Sequence, residues 1–216
     1  MQNTWDVSIQ RGWIIGLALI AVLLAMTVGL AVYAVSSPIS IWLFLMSVLA
    51  VMTLGLAIRL SYQLWGLISA SYIMDRNAVV IHWGGVEHIV PMAEVREVMS
   101  GSSLEALRIQ PGLRWPGCFI GIGKANGIET ILFYATQAPQ KQVVLRTDSM
   151  AYAISPIDVD TFLPALRERL EMGPTQEVAE RSTHPPFLDW DIWHDPWALG
   201  LLSGACALLI ILVGVM

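Results

Sequence analysis

WIIGLALIAVLLAMTVGLAVYAVSSPISIWLFLMSVLAVMTLGLAI, residues 13–58, runs for 46 residues without a charged side chain. A single helix crosses the hydrocarbon core with about 20 apolar residues, so this run is long enough for two crossings. Ser36-Ser37-Pro38 supplies the break, because Pro38 lacks an N–H and biases Ser37 away from helical geometry. The stretch predicts a transmembrane hairpin within residues 1–60, with spans at residues 13–35 and 39–58 and almost no loop. Residues 197–216 are again uncharged and predict a third span. A cleavable signal peptide is the weaker reading of the N-terminus. Its apolar region is about 7–15 residues long, and here a second apolar run follows in place of a polar mature start.

Composition points the same way. Hydrophobic residues make up 56% of the chain and charged residues 13%, outside the range of soluble domains. Nearly all the charges fall between Arg59 and Asp195, a segment long enough for one compact extramembrane domain. Arg11 precedes the first span, Arg59 follows the second, and residues 36–40 carry no cation. Positive charge favours the cytoplasmic side, so the N-terminus and the middle domain are expected in the cytoplasm, with Met216 on the opposite face. Cys118 lies in the domain and Cys206 in the third span; they have no reason to pair, which fits a reducing compartment. The spans hold no ionisable residue, which argues against an ion pathway. A net charge of −5 with no basic stripe argues against nucleic-acid binding.

Near the third span Trp190, Trp193 and Trp197 alternate with Asp189, Asp191, His194 and Asp195. Trp favours the membrane–water interface because its ring is amphipathic, so these three are expected as interfacial anchors. A metal on His194, Asp191 and Asp195 is the less favoured alternative. Gly12 and Gly16, Ala25 and Gly29, and Gly200 and Gly204 are small residues four apart. That spacing lets membrane helices approach closely, within the chain or between subunits.

The middle domain, residues 61–173, reads as short strands over residues 60–154. Asp75-Arg76-Asn77, Trp83-Gly84-Gly85-Val86, Ala125-Asn126-Gly127 and Thr147-Asp148-Ser149 are its turns, since Asn and Gly tolerate positive φ. The period then changes. Ser155-Pro156-Ile157-Asp158 reads as an N-cap serine with proline in the first helical position, opening a helix over residues 156–172. Phe162, Leu163, Leu166 and Leu170 form its apolar stripe, Pro164 is awkward inside it, and Gly173-Pro174 ends it. Residues 174–196 read as a polar linker leading into the aromatic interfacial segment.

About seven short antiparallel strands closed by one C-terminal amphipathic helix is the layout of a pleckstrin-homology barrel. Trp83-Gly84, Trp115-Pro116-Gly117 before a Gly-rich strand, Tyr134-Ala135-Thr136, and Ile154-Ser155-Pro156 leading to Phe162 and Leu166 resemble bacterial membrane proteins with a pleckstrin-homology-like (PH-like) domain. The resemblance covers roughly residues 69–171 together with the preceding hairpin. Members of that group often continue into further apolar spans, and this chain ends inside one. The fold class implied is membrane α-helical plus a soluble, mainly-β PH-like barrel or sandwich. The resemblance also implies a non-catalytic binding or assembly module. Inositol-phosphate binders of the wider fold use a cation cluster in the first hairpin loop. Here that loop carries Arg76 beside Asp75, and residues 60–173 hold 9 Lys and Arg against 11 Asp and Glu. No phosphoinositide ligand is expected, because an acidic domain has no attraction to an anionic leaflet.

Catalytic constellations are weak. Gly121-x-Gly123-Lys124-x2-Gly127 lacks P-loop spacing and precedes a strand, so no helix N-terminus meets a phosphate; it reads as a Gly-rich hairpin. His82 and His88 straddle a turn without an evident third ligand. Glu94, Glu97 and Glu105 look like a solvated face, Ser155 a cap, and Cys118 a buried, inert thiol. No catalytic residue, cofactor or metal is expected. The leading expectation is a membrane-anchored scaffold presenting the domain to a protein partner by strand addition at a sheet edge. The alternative is an accessory subunit of a larger membrane complex held through its helices. Trp115, Arg114 and Trp83 are the candidate partner contacts, weighed against simple core packing for the two tryptophans.

Overall fold

The computed structural model describes residues 3–38, 40–110, 112–184 and the single positions 197, 200, 204 and 205. It divides into two compact units, Met1–Ile15 with Leu64–His184, and Gly16–Gln63 with Pro185–Met216. Both boundaries in the first half of the chain fall inside helices.

Those helices are α1, Gln10–Ser36, and α2, Ile41–Ile68. Both are long and apolar enough to cross a membrane, with mean hydropathies of 2.7 and 2.4. Only 11% and 28% of their most apolar windows are buried, whereas the core helix of a soluble protein hides its apolar face. Trp13 and Tyr33 are exposed on α1. Twenty residues at 1.5 Å each separate them by about 30 Å, the thickness of the hydrocarbon layer. Exposed Trp42 and Trp65 bracket α2 in the same way.

In the helical unit, the buried face of α2 is Leu43, Ser47, Ala50, Thr53 and Ala57. These sit three and four apart, the spacing of a left-handed helix pair, and mostly they are small. Thr27 Oγ1 meets Thr53 Oγ1 at 2.8 Å across the pair. The Leu23 carbonyl lies within reach of the Thr27 hydroxyl and the Ala50 carbonyl within reach of that of Thr53, so each hydroxyl has a partner in apolar surroundings. The expected break at Ser36-Ser37-Pro38 is present.

α2 continues to Ile68, and the strands expected from residue 60 begin only at Ser71. Among the described residues eleven strands form two sheets rather than one closed seven-stranded barrel. The first sheet comprises β1 (Asn3–Asp6), β2 (Ser71–Met74), β3 (Ala78–Trp83), β4 (Val86–Pro91) and β11 (Arg181–Thr183), in the order β1-β2-β3-β4-β11. The second runs β5-β9-β10-β8-β7-β6. Its strands are β5 (Glu97–Ser100), β6 (Arg108–Ile109), β7 (Phe119–Ala125), β8 (Ile128–Ala135), β9 (Val143–Arg146) and β10 (Ala151–Ile154). All pairings are antiparallel except β8–β10. The tight turn at 147–150 folds β10 back beside β9 and inserts it next to β8, which makes that one contact parallel.

The four expected turns occur. Asp75 Oδ1 accepts from the amides of Asn77 and Ala78, and Gly84 and Gly127 supply φ of +64° and +76°. β10, at the centre of the second sheet, is buried on both faces. Tyr152 and Ile154 join the main core with Met74, Ile81, Leu145, Phe162 and Leu166. Ala151 and Ala153 point the other way, into a second cluster with Ile131, Phe133 and Val144. This is the period of two that a pleated strand imposes.

The closing helix α3 spans Val159–Met172 and buries Phe162 and Leu166. Its N-cap is Asp158, whose carboxylate accepts from Thr161 N at 3.1 Å; the cap reading at Ser155 and the start at 156 are corrected. Ser155 Oγ is committed elsewhere, accepting from Thr136 N at 2.7 Å in a buried position. Pro164 is accommodated within the helix. Two further corrections concern flanking chain. β1 lies within what reads as the start of the hairpin segment, and β11 within the linker. Trp190, Trp193 and most of the expected third span lie outside the described residues; Trp197, Gly200 and Gly204 have helical geometry.

Candidate functional site

β3 and β4 alternate faces, and their register pairs Ile81 with His88 and His82 with Glu87. Cross-strand partners share a face, so the two histidines point to opposite sides and do not share a metal. His82 Nδ1 lies 3.4 Å from the Glu87 carboxylate. Among the described residues no cluster of three His, Cys, Asp or Glu side chains has a metal-binding arrangement.

His88 is buried, and it organises the polar group the sequence did not reveal. Its Nε2 is 2.9 Å from the Tyr134 hydroxyl on β8 and its Nδ1 meets the Ser182 hydroxyl on β11. The imidazole packs against the rings of Tyr134 and Tyr152, with centroids at 4.8 and 5.7 Å. Tyr152 donates its hydroxyl to Glu180 Oε1 at 2.8 Å, and Ser149 donates to Glu180 Oε2 at 2.7 Å. The Tyr134 carbonyl accepts from Tyr72 OH at 2.6 Å. Burial lowers the His88 pKa to about 4, with His184 acting in the same direction and Glu180 against it, so the ring is neutral at physiological pH. Burial, and then Glu180, raises the Tyr152 hydroxyl above its ordinary range, which keeps it a donor. The arrangement is a hydroxyl- and imidazole-lined strip between β4 and the second sheet, covered by residues 180–183. It is equipped to recognise carboxylate and hydroxyl groups on an extended strand.

The hairpin loop that carries cations in inositol-phosphate binders is engaged within the chain. Arg76 Nε and Nη2 donate to the carbonyls of Gly173 and Met172 at 3.0 and 3.1 Å, satisfying the end of α3. Asn77 Oδ1 accepts from Thr175 N, Thr175 Oγ1 and Gln176 N. The loop thereby steers the chain leaving α3 toward β11.

The candidate contact tryptophans turn inward. Trp115 is 5% exposed and donates Nε1–H to the Gly12 carbonyl at 2.8 Å; Trp83 is 4% exposed and meets the Tyr134 ring at a tilt, with centroids 6.0 Å apart. Arg114 is half-buried and donates to the Gln110 carbonyl at 2.8 Å. Gly12 is pressed against Gly117, whose φ is +96°, and against Leu67. Gly16 is buried, while Ala25 and Gly29 lie on the exposed side of α1. Trp197 and Gly200 are exposed and Gly204 is half-buried. Cys118 is buried and its thiol is pushed up to about 12, so it is inert. Gly121, Gly123 and Lys124 lie in β7. A side chain at Gly123 would meet Phe133 at 2.9 Å, so this glycine serves sheet packing.

Two sheets and a capping C-terminal helix follow two long apolar helices. Within this arrangement residues 70–170 match the model of the bacterial PH domain family. No curated protein and no solved structure matches the chain. PH-like domains are generally non-catalytic binding modules, and the two apolar helices are consistent with membrane anchoring.

Proposed function

We propose that this chain is a non-enzymatic, membrane-anchored binding or scaffold protein that presents its PH-like domain to a protein partner by strand addition. The observation that carries this reading is at β4. There the domain holds an extended three-residue strand by antiparallel pairing, with side-chain slots for its polar groups. That is the physical mode by which sheet edges capture peptides. In this reading the protein sits in the cytoplasmic membrane of a bacterium, with the N-terminus and the domain in the cytoplasm, because Arg11 and Arg59 flank a hairpin whose connection has no cation. The third span would carry Met216 across, and Trp190, Trp193 and Trp197 would anchor it at the interface.

A second reading, an accessory subunit of a larger membrane complex, is favoured by the outer face of the hairpin. A Cβ placed at Gly29 or Gly55 would meet no described atom within 4 Å, and Ala25 is exposed beside Gly29. Such a small-residue surface permits close approach of another helix. Purification in gentle detergent, with the composition of the complex determined, separates the two. Capture of a soluble partner that is lost on deleting the domain supports the scaffold. Stoichiometric membrane subunits retained without the domain support the accessory subunit.

A further inference from the structure

The two edges of the first sheet are both filled by flanking chain, but not in the same way. At one edge β1 is locked by apolar burial: Trp5 packs edge-on to Phe162 at 5.4 Å, and Val7 belongs to the core. At the other edge, Arg181, Ser182 and Thr183 are all exposed. Among the described residues, none beyond Leu170 joins either of these hydrophobic clusters. The described contacts of β11 are polar: a three-residue ladder, the Ser182–His88 contact, and the Glu180 carboxylate on Tyr152 and Ser149. Water replaces such bonds at modest net cost, whereas apolar burial is not replaced. The tail is thus the weakly held strand of the sheet. The strip beneath it keeps its form without it, because His88 is fixed by Tyr134 and Tyr152.

We infer that the β4 edge is a docking site for an extended antiparallel segment of another protein that carries a carboxylate two residues before a Ser or Thr. Residues 180–183 occupy it in cis as a displaceable stand-in. The specificity follows from the groups that lose partners when the tail leaves. A hydroxyl opposite His88 restores the contact at Nδ1, and a carboxylate two residues earlier accepts from Tyr152 and Ser149. An apolar or basic occupant leaves the buried Tyr152 hydroxyl without its carboxylate acceptor, which is costly. The tail is tied down at Thr175 and Gln176 by Asn77, so only a few residues separate its anchor from Glu180. Tethering at that range gives the tail an effective concentration on the order of millimolar. A true partner outcompetes it by adding contacts on either side of the same motif.

This inference rests on the protein-binding reading. The test uses the full-length protein in detergent and a labelled, N-acetylated peptide of residues 178–184, comparing wild type with Glu180→Ala/Ser182→Ala. The variant weakens the tail and leaves the strip intact. We expect the peptide to bind the variant at least about tenfold more tightly, because two polar contacts of the competitor are gone. A peptide carrying the same two alanines should bind neither protein. In wild type, the amides of residues 181–183 should exchange faster than those of β8 and β10. Equal affinity for both proteins, undiminished binding of the alanine peptide, or equal protection of β11 and β10 would overturn the inference. A dimer formed by exchange of tails would also overturn it, making a second copy the occupant. If the peptide fails while the domain still captures a partner in detergent, the docking surface lies elsewhere and the anchored module stands. If both fail, that reading falls too.

Discussion

Gly12 and Gly117 show how a single hydrogen in place of a side chain decides packing. A methyl group at Gly12 would run into the Gly117 carbonyl and come within 2.7 Å of Leu67. Gly12→Ala should therefore lower thermal stability by about 1–3 kcal/mol, as overpacking does. Gly29→Ala, on the open side of α1, should leave the melting temperature unchanged; thermal unfolding in detergent reads both. Both glycines stand out in the sequence for the same spacing reason, yet only one faces a neighbour here, because spacing names a helix face without saying what lies against it. His88 gives a pH signature. Its folded pKa is lowered to about 4 by burial, while unfolded it titrates near 6.5. Between those values the unfolded chain binds the extra proton. Stability is therefore fully present above about pH 6.5 and falls as pH drops toward 4. The ring faces Tyr134, Tyr152, Ser182, Glu180 and His184. His88→Gln should flatten the fall in melting temperature between pH 7 and 5; an unchanged slope would place its origin elsewhere.

Among the elements, α3 was legible in its apolar stripe and its Gly173 stop, but not in its first residue. Two side chains capable of capping lie three apart, and only the tertiary structure commits Ser155 to Thr136 and leaves Asp158 to the helix. Asp158→Ala should cost about 1 kcal/mol, the worth of an N-cap. Ser155→Ala should cost about 1–3 kcal/mol, because it strands a buried amide. Chemical denaturation of the two variants compares them directly, and no loss of stability on Asp158→Ala would overturn Asp158 as the cap. The hairpin turns were readable from Asn, Asp and Gly, since turn chemistry is local. β1 and β11 were not. Arg181-Ser182-Thr183 has no apolar alternation, and its strand character comes wholly from the β4 ladder. The His88 strip was invisible for the same reason. Its members lie on β4, β8, β10 and the tail, as much as 94 residues apart, and none is unusual alone.

At the scale of the molecule, the hairpin carries a topology prediction. In a Cys206→Ala background, Cys118 is buried with its thiol pushed up to about 12 and gives no background labelling. A cysteine placed at Ser37 should react with a membrane-impermeant maleimide from outside intact cells, and one at Gly112 only after lysis. The opposite pattern would invert the proposed orientation. By itself the sequence determined that two long apolar helices, consistent with membrane anchoring, precede a β domain with a capping helix. Hydrocarbon thickness, turn residues and side-chain period act locally and leave their mark in any short window. Only the tertiary structure decided that there are two sheets and not a closed barrel, that both edges of the first sheet are filled by flanking chain, and that Trp115 and Trp83 face inward. Those outcomes depend on which distant segments meet, and a long-range pairing is set by the competition among all surfaces available to a strand edge. No single stretch of residues records that competition.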